Sequence, residues 1–267
     1  MTNRIDRRLA LVKSNNGTAI VPYITVGYPT MDLSIDIVKG IISSGADIVE
    51  LGIPFSDPLA DGPTIQMPNF KALGNGANLR SAIELLRLIR KDDLETPIIF
   101  MGYYNPFLNH GTKDLLREAA LSGLDGLIVP DLPLEESSLM VEECKSNDIH
   151  FIPLLSPTST DERISLACRQ AGGFIYCVSL TGVTGARKKL SSGVQGLVDR
   201  IRKHTDLPVL VGFGITSRAD VLEIGKFADG AVVGSALLDA ISNAELGEEV
   251  ETASGFVGRL ASKENFR

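Results

Sequence analysis

The chain has 267 residues, of which 44% are hydrophobic and none is Trp, and its 26 Lys and Arg are outnumbered by 33 Asp and Glu. The net charge of −7 gives no electrostatic reason to expect nucleic-acid binding. No apolar run reaches the roughly 18 residues that a membrane-spanning helix needs. Residues 1–8 lack the apolar core of a secretory signal and read as a short amphipathic helix. The size fits one large α/β barrel or two smaller domains.

Cysteine usage bears on the compartment. Cys144, Cys168 and Cys177 are odd in number and far apart along the chain. Small buried thiols in a reducing compartment are the simplest interpretation, ahead of a redox or metal role. We therefore predict a cytoplasmic protein. The histidines are also scattered, without the spacing of metal ligands, so no metal site is predicted.

The predicted elements alternate along the chain between short apolar strands and helical segments. The strands are predicted at residues 19–26, 47–52, 97–102, 125–129, 149–154, 174–178, 208–212 and 229–233. Helices, with apolar residues three and four positions apart, are predicted at 31–44, 80–91, 112–121, 136–146, 161–171, 195–203 and 217–225. Strands this short and continuously apolar are typical of parallel sheets with both faces covered.

These eight βα units predict an α/β protein: a (β/α)₈ TIM barrel, single domain over residues 1–267, with an extra N-terminal helix. An open doubly wound sheet is the alternative. Against it, no G-x-G-x-x-G follows the first strand, where Gly27-Tyr28-Pro29 stands instead. Glycines also concentrate after the last two strands, where barrels commonly hold a phosphate. Both observations favour the barrel.

The segment after the second strand carries the strongest indication of a functional site. Glu50 lies near the end of an apolar strand, and a loop rich in Gly, Pro, Ser and Asp follows with Asp57 and Asp61. A buried carboxylate is costly unless it is paired or protonated, and two carboxylates in different environments can run acid and base chemistry together. Asp57, before Pro58, is more simply a loop-shaping residue. Glu50 and Asp61 are the candidate catalytic pair; a structural role for Glu50, accepting backbone N–H groups, is the alternative.

Three glycine-containing loops follow consecutive strands and indicate a phosphate site. They are residues 181–185, 212–217 and 234–236, the last two directly before predicted helices. Glycine lets the backbone approach an anion closely, and free N–H groups at a helix N-terminus point at it. No Walker-type Lys is present, so the ligand should be a phosphorylated metabolite rather than a nucleoside triphosphate.

Two predicted loops are longer than the two to six residues or so that are usual in barrels. They span residues 53–67 and 179–194, and the second carries Arg187-Lys188-Lys189. Long loops at this face of a barrel typically close over the ligand and exclude water; inert surface insertions are the alternative. A hydrogen bond between Thr184 of one loop and Asp61 of the other would join the two lids, which is a hypothesis.

Residues 50–66, Glu-Leu-Gly-Ile-Pro-Phe-Ser-Asp-Pro-Leu-Ala-Asp-Gly-Pro-Thr-Ile-Gln, resemble the signature of the tryptophan synthase alpha subunit family. Further matches lie, in the family's order and spacing, between residues 22 and 236: 22–27, 131–136, 181–185 and 212–215. The resemblance implies retro-aldol cleavage of indole-3-glycerol phosphate to indole and glyceraldehyde 3-phosphate, a lyase reaction of tryptophan biosynthesis.

The resemblance also implies roles for individual residues. Glu50 matches the acid/base group, Asp61 the group that pairs with the indole nitrogen, Tyr176 a residue beside the ligand, and Thr184 a closing-loop contact. The backbone of four residues would hold the phosphate: Gly185, Gly214, Gly234 and Ser235. The sequence departs from its relatives at Tyr23, where Phe is frequent, and Met101 and Pro130 replace other apolar or small residues; these changes concern the shape of the pocket.

The expected chemistry is consistent with these residue types. Cleavage needs a proton on indole C3 while a hydroxyl of the glycerol chain loses one. Protonated C3 places positive charge on the ring nitrogen, which Asp61 can stabilise. A group that both gives and accepts a proton should have a pKa near the working pH, and burial can raise that of Glu50. Apolar walls suit a flat aromatic ligand, and the candidate substrate-binding residues are Tyr23, Met101, Tyr176 and Phe213.

In the family the alpha subunit joins a beta subunit that carries pyridoxal phosphate, so an α2β2 heterotetramer is expected and no cofactor in this chain. The apolar segments 54–58 and 105–109 are candidate exposed loops for that interface. A stand-alone indole-3-glycerol phosphate lyase that releases free indole is the alternative. Two others remain open: a sugar-phosphate isomerase or epimerase, and a non-enzymatic activator of a partner.

Overall fold

The computed structural model describes residues 3–178, 187–212 and 214–262, with side chains left out for 187–192. The strands are β1 (Ala19–Thr25), β2 (Val49–Gly52), β3 (Ile98–Met101), β4 (Gly126–Ile128), β5 (His150–Phe151), β6 (Leu154–Leu155), β7 (Ile175–Val178), β8 (Val209–Gly212) and β9 (Gly230–Val233). They are parallel and form one sheet in the order β5-β4-β3-β2-β1-β9-β8-β7-β6.

The sheet closes through the fifth predicted strand, 149–154, which is divided into β5 and β6. Pro153 lies between them and has no N–H to donate to a neighbouring strand. β5 pairs with β4, whereas β6 pairs with β7, and the Pro153 carbonyl accepts the Tyr176 N–H at 3.2 Å. The two ends of the sheet are therefore consecutive in the chain. This closure confirms the predicted (β/α)₈ barrel and shows that the doubly wound alternative is wrong.

Helices surround the barrel, and several begin at the capping residues that the sequence provides. Side chains of Thr30, Asn78, Thr160 and Ser217 accept backbone N–H groups in the first turns of α2, α4, α8 and α10. The helices are α1 (Arg4–Ser14), α2 (Met31–Ser43), α3 (Pro63–Gly74), α4 (Leu79–Arg90), α5 (Tyr104–His110), α6 (Thr112–Leu121), α7 (Ser138–Ser146), α8 (Asp161–Gln170), α9 (Arg187–Ile201), α10 (Arg218–Ile224), α11 (Ser235–Ser242) and α12 (Glu249–Ala261). Within the described residues, no helix is long and apolar enough to span a bilayer.

Two predicted loops are shorter than expected. α3 begins at Pro63, so the loop after β2 ends at Gly62 rather than at residue 67. Proline fits the first turn of a helix because its missing N–H would have no partner there. α9 begins at Arg187, so residues 187–194, which were predicted as loop, are helical. Its first turns, Arg-Lys-Lys-Leu-Ser-Ser-Gly, lack the apolar spacing that identified other helices.

Two apolar clusters lie on the two sides of the sheet. Alternate strand residues face the barrel interior, where Val21, Ile48 and Phe174 pack with Ile5 and Leu9 of α1. Side chains of the opposite parity pack against the surrounding helices. The predicted N-terminal helix is thus confirmed, and it plugs the N-terminal end of the barrel.

A buried ion pair fixes this plug to the barrel. Asp125 precedes β4 and is 2% exposed. Its carboxylate accepts from Arg90 Nη2 at 2.7 Å, from the Ile98 N–H at 2.8 Å and from Arg4 Nη1 at 2.9 Å. Its carbonyl accepts from Asn3 Nδ2 at 3.0 Å. Because Arg4 and Asn3 belong to the start of the plug, this network joins α1 to α4 and to the sheet.

Candidate active site

Strand register brings four of the predicted site residues to the same end of the barrel. Tyr23 of β1 pairs with Glu50 of β2. Met101 of β3 pairs with Gly52, which is the next residue of β2 after Glu50 on the inward-facing side of the sheet. Met101 and Tyr176 also pack against the interior cluster. Inward-facing residues near the C-terminal ends of parallel strands converge in a closed barrel. The structure thus brings Tyr23, Glu50, Met101 and Tyr176 together.

Glu50 is the carboxylate of this group and is almost completely buried. It is 1% exposed, and its Oε1 atom has no hydrogen-bond partner in the described structure. Burial raises the pKa of Glu50 to about 8, with a further contribution from the negative charge of Asp61. A structural Glu would have its oxygens paired with N–H groups. Its burial and unpaired oxygen are typical instead of an acid/base group that is protonated near neutral pH.

Asp61 lies at the end of the shortened loop and is partly buried. Its Oδ2 accepts a hydrogen bond from the Tyr103 hydroxyl at 3.0 Å, and that hydroxyl oxygen accepts the Ala60 N–H at 3.0 Å. Burial raises the pKa of Asp61, and the hydrogen bond from Tyr103 partly opposes this. The charges of Glu50 and Asp61 therefore influence each other, and of these two carboxylates only Asp61 accepts a side-chain hydrogen bond from the described residues.

Tyr103 was not among the predicted site residues. The signal available in the sequence was its position directly after the third strand, at the C-terminal end where barrel sites form. The neighbouring sequence was equally compatible with a Tyr103 ring that only packs in the hydrophobic core. Its contact with Asp61 joins loops that are 42 residues apart in the chain.

Two tyrosines fit into gaps left by glycines on neighbouring strands. A Cβ atom on Gly52 would overlap the Tyr23 hydroxyl, and one on Gly212 would overlap the Tyr176 hydroxyl. Burial raises the pKa of both tyrosines, and the charges of Glu50 and Asp61 add to this. Both hydroxyls therefore stay protonated beside the two carboxylates.

The predicted phosphate loops differ in what their N–H groups contact. Among the described residues, no side chain caps α11, which begins at Ser235 directly after Gly234. In contrast, the Asp220 carboxylate accepts the Thr216 and Ser217 N–H groups before α10. Gly214 is exposed, with φ +42°, a region that disfavours residues with a Cβ. Of these two helix starts, only that of α11 has no side-chain acceptor within the part of the chain that the structure describes. Three other predicted residues, Thr184, Gly185 and Phe213, lie outside the described residues.

The two segments predicted as exposed apolar loops are more ordered than expected. Residues 105–109 lie within α5, where Phe107 is fully buried and Leu108 is 53% exposed. In segment 54–58 both prolines are buried, and the Phe55 ring stacks on Tyr103 with centroids 5.4 Å apart. Segment 105–109 is therefore helical rather than a loop, whereas segment 54–58 is a loop as predicted, but its apolar residues are buried or half-buried and only Ser56 and Asp57 are exposed. Local sequence could not show that the rings point inwards.

The comparisons with known proteins agree with one another. The sequence model of the family described as "Tryptophan synthase alpha chain" matches residues 9–263. A protein of that name from Roseiflexus sp. (strain RS-1) is 46% identical over 258 residues, which cover 97% of this chain and 99% of the relative. The chain belongs to the tryptophan synthase alpha chain family. The resemblance drawn from residues 50–66 is thereby confirmed.

Other relatives extend the comparison. The crystal structure of the tryptophan synthase alpha subunit from Legionella pneumophila str. Paris superposes with a TM-score of 0.91 at 33% identity, covering 98% of each chain. A longer protein called tryptophan synthase from Saccharomyces cerevisiae is 40% identical over 96% of this chain, which corresponds to 36% of its own length. Membership in the tryptophan synthase alpha chain family confirms the predicted lyase function, cleavage of indole-3-glycerol phosphate, over the isomerase and non-enzymatic alternatives.

The cysteines of this tryptophan synthase alpha chain family member are buried or half-buried and free. Burial raises the pKa of the Cys144 and Cys177 thiols to about 12. Thiols with so high a pKa are almost entirely protonated at neutral pH and react slowly. Their burial fits the predicted structural role.

Proposed function

We propose that Glu50 and Asp61 carry out the cleavage of indole-3-glycerol phosphate in this chain, with Glu50 as the acid/base group and Asp61 as the partner of the ring nitrogen. The observation that supports this most is Glu50 itself: a fully buried carboxyl group with an unpaired oxygen and a pKa near 8. At neutral pH such a group can donate a proton, and afterwards it can accept one.

The two carboxyl groups divide the reaction between them. Glu50 first transfers its proton to indole C3, and the positive charge that develops on the ring nitrogen is stabilised by the Asp61 carboxylate. The Glu50 carboxylate then takes the proton of the adjacent glycerol hydroxyl. As the aldehyde forms, the bond between C3 and the glycerol carbon breaks and its electrons return to the ring. Indole and glyceraldehyde 3-phosphate leave, and Glu50 holds a proton again.

The remaining site residues would bind the substrate. Tyr23, Met101 and Tyr176 form walls at the barrel mouth that suit the flat indole ring. The uncapped N-terminus of α11, at Gly234 and Ser235, offers N–H groups to the phosphate. Gly214, Gly185, Thr184 and Phe213 are proposed to complete the phosphate site and the closing loop, as the family resemblance implies.

The partner is proposed to be a tryptophan synthase beta subunit in an α2β2 heterotetramer, which would carry the pyridoxal phosphate. Two observations support a partner. Leu59 is 90% exposed and Leu108 is 53% exposed, both after strand ends on the face that carries Glu50. In addition, the part of the yeast relative called tryptophan synthase that matches this chain is 36% of that protein, so most of the yeast protein lies outside the match. A cytoplasmic location, where such an enzyme finds its metabolites, remains part of this proposal.

A stand-alone lyase that releases free indole is the competing function. The two are distinguished by measuring indole release from indole-3-glycerol phosphate with the isolated chain and again with a beta subunit. Strong stimulation by the beta subunit supports the complex. A rate that does not change on addition of the beta subunit, with no association between the two chains, supports the stand-alone lyase.

Asp61→Asn tests the charge at the ring nitrogen. The amide keeps the size of the side chain but cannot stabilise positive charge, so we expect kcat to fall by about 10²–10³-fold, the scale of losing one transition-state electrostatic partner. KM should change little, because the charge forms only in the transition state. Steady-state indole formation gives both constants. A variant that retains most of its kcat would contradict the role of Asp61.

Gly212→Ala tests the fit of Tyr176 at the barrel mouth. The added methyl group would occupy the position of the Tyr176 hydroxyl and displace the ring. We expect kcat/KM for indole formation to fall by at least about tenfold, because small displacements at a binding wall are costly. Gly196→Ala in α9 is the control, since a Cβ there meets no atom within 4 Å. Equal activity of the two variants would show that Tyr176 does not need its position.

A further inference from the structure

Tyr103 connects the barrel to the loop that ends in Asp61. The residue is 4% exposed and lies between β3 and α5. Its hydroxyl donates to Asp61 Oδ2 and accepts from the Ala60 N–H, both at 3.0 Å. One hydroxyl therefore binds the side chain of Asp61 and the backbone of the preceding residue. This arrangement restricts both the position of the loop and the rotation of the carboxylate.

The beginning of the same loop is held from the other side by Asn69 of α3. Asn69 is 3% exposed, and its Oδ1 accepts the Phe55 N–H at 2.8 Å while its Nδ2 donates to the Phe55 carbonyl at 2.6 Å. The Phe55 ring in turn stacks on the Tyr103 ring at 5.4 Å and 30°. The contacts form a continuous path from Asn69 through Phe55 and Tyr103 to Asp61.

We propose that Tyr103 is a positioning residue of the lyase reaction: it holds the Asp61 carboxylate in the orientation that faces the ring nitrogen of the substrate. Asn69 supports Tyr103 through Phe55. This inference rests on the proposed role of Asp61. Aligned donors matter here because a carboxylate that rotates freely would lose its alignment with the developing positive charge. Neither residue needs to touch the substrate.

The hydroxyl of Tyr103 also affects the protonation of Asp61. Burial raises the pKa of Asp61, whereas the hydrogen bond from Tyr103 lowers it. Removal of the hydroxyl should therefore raise the pKa further. The titratable groups that act on this pair come from several elements of the barrel mouth: Glu50, Tyr23, Tyr176 and Asp131. These remain in place when only the Tyr103 hydroxyl is removed.

Tyr103→Phe is the test, because it removes the hydroxyl and keeps the ring that stacks on Phe55. We expect kcat for indole formation at neutral pH to fall by about 10- to 100-fold, the range for a lost hydrogen bond to a charged group, with KM changed by less than about threefold. The acid limb of the pH profile should move to higher pH, so that the loss of kcat relative to wild type becomes smaller as the pH rises from neutral to about 8, the pKa of Glu50. The midpoint of thermal unfolding should change by less than about 4 °C.

Two further variants accompany this test: Tyr104→Phe is the control, and Asn69→Ala tests the support that Asn69 gives to Tyr103. Tyr104→Phe removes the hydroxyl of the adjacent tyrosine, which makes no hydrogen bond to Asp61 in the described structure, and should keep the wild-type pH profile. Asn69→Ala should shift the acid limb in the same direction as Tyr103→Phe. Combined with Tyr103→Phe, it should reduce kcat by less than the product of the two single effects, because both act through one carboxylate.

The outcomes separate this inference from the proposed function. If Tyr103→Phe keeps the wild-type kcat and acid limb while Asp61→Asn is inactive, the positioning role is wrong and the role of Asp61 stands. A loss of kcat that accompanies a large loss of thermal stability, with the acid limb unmoved, also overturns it. If Asp61→Asn and Glu50→Gln are both active, the proposed function fails, whatever Tyr103→Phe shows.

Discussion

Replacing Glu50 with Gln is expected to lower the rate of indole formation by about 10²–10⁴-fold, the contribution typical of a positioned acid/base group. The amide has nearly the same shape but can neither give the proton to indole C3 nor take the one from the glycerol hydroxyl. The rate should stay low with or without a beta subunit. Indole formation from indole-3-glycerol phosphate, measured over a range of pH, checks this result.

The pH profile of the wild-type enzyme follows from the same group. Glu50 must be protonated to begin the reaction, and its pKa is about 8. Asp61 must be ionised, and burial raises its pKa above the ordinary value. We expect kcat/KM to follow a bell-shaped curve whose alkaline limb lies near pH 8 and is absent in Glu50→Gln. An alkaline limb that persists in Glu50→Gln would assign it to another group.

The same substitution should also make the protein more stable at alkaline pH. The ordinary pKa of a glutamate side chain is 4.5, whereas burial raises that of Glu50 to about 8 in the folded protein. The folded state therefore keeps a proton that the unfolded state has lost, and the free energy of unfolding falls as pH rises from about 4.5 to 8. Glu50→Gln removes this dependence, so its stability relative to wild type should increase by on the order of 4 kcal/mol between pH 5 and pH 8.

Urea unfolding of the wild type and of Glu50→Gln at pH 5 and pH 8 measures this difference. The cost of burying the amide is the same at both pH values, so it cancels when the two are compared. Glu249 provides a matched variant: it is 7% exposed, and its carboxylate accepts the Gly247 N–H at 2.8 Å. Glu249→Gln should leave indole formation unchanged. If Glu50→Gln gains no stability between pH 5 and pH 8, then Glu50 does not carry the raised pKa.

The second large effect is expected at the opposite end of the barrel. Asp125→Ala should reduce the free energy of unfolding by about 3–5 kcal/mol, because it leaves the buried guanidinium of Arg90 without its carboxylate. Arg4, at the start of the α1 plug, loses its ion pair with Asp125 as well. Urea unfolding at neutral pH gives the value. Asp125→Asn, which keeps an acceptor for the Ile98 N–H, provides a second measurement if the alanine variant does not fold.

An exposed ion pair supplies the comparison. Asp114 and Arg117 approach to 2.8 Å, with side chains 70% and 66% exposed. Asp114→Ala should cost less than about 1 kcal/mol, because water solvates both charges. Similar losses for Asp114→Ala and Asp125→Ala would mean that burial of the Arg90 pair contributes nothing beyond a surface contact.

The sequence by itself determined the barrel and the candidate carboxylates. Alternation of short apolar strands with amphipathic helices is a property of neighbouring residues, so the strands could be found before any contact was known. The resemblance in residues 50–66 pointed to Glu50 and Asp61 for the same reason, because both residues lie within one continuous segment. Helix boundaries were less certain where the apolar spacing was weak, as at the start of α9.

Tertiary structure alone decided which distant residues meet. The division of the fifth strand at Pro153 depends on different neighbours on its two sides, and the contact of Tyr103 with Asp61 depends on the register of β2 and β3. The plug formed by α1 and its attachment at Asp125 likewise join segments far apart in the chain. Such contacts are set by the packing of whole elements, whereas the sequence pattern records only the period within each element.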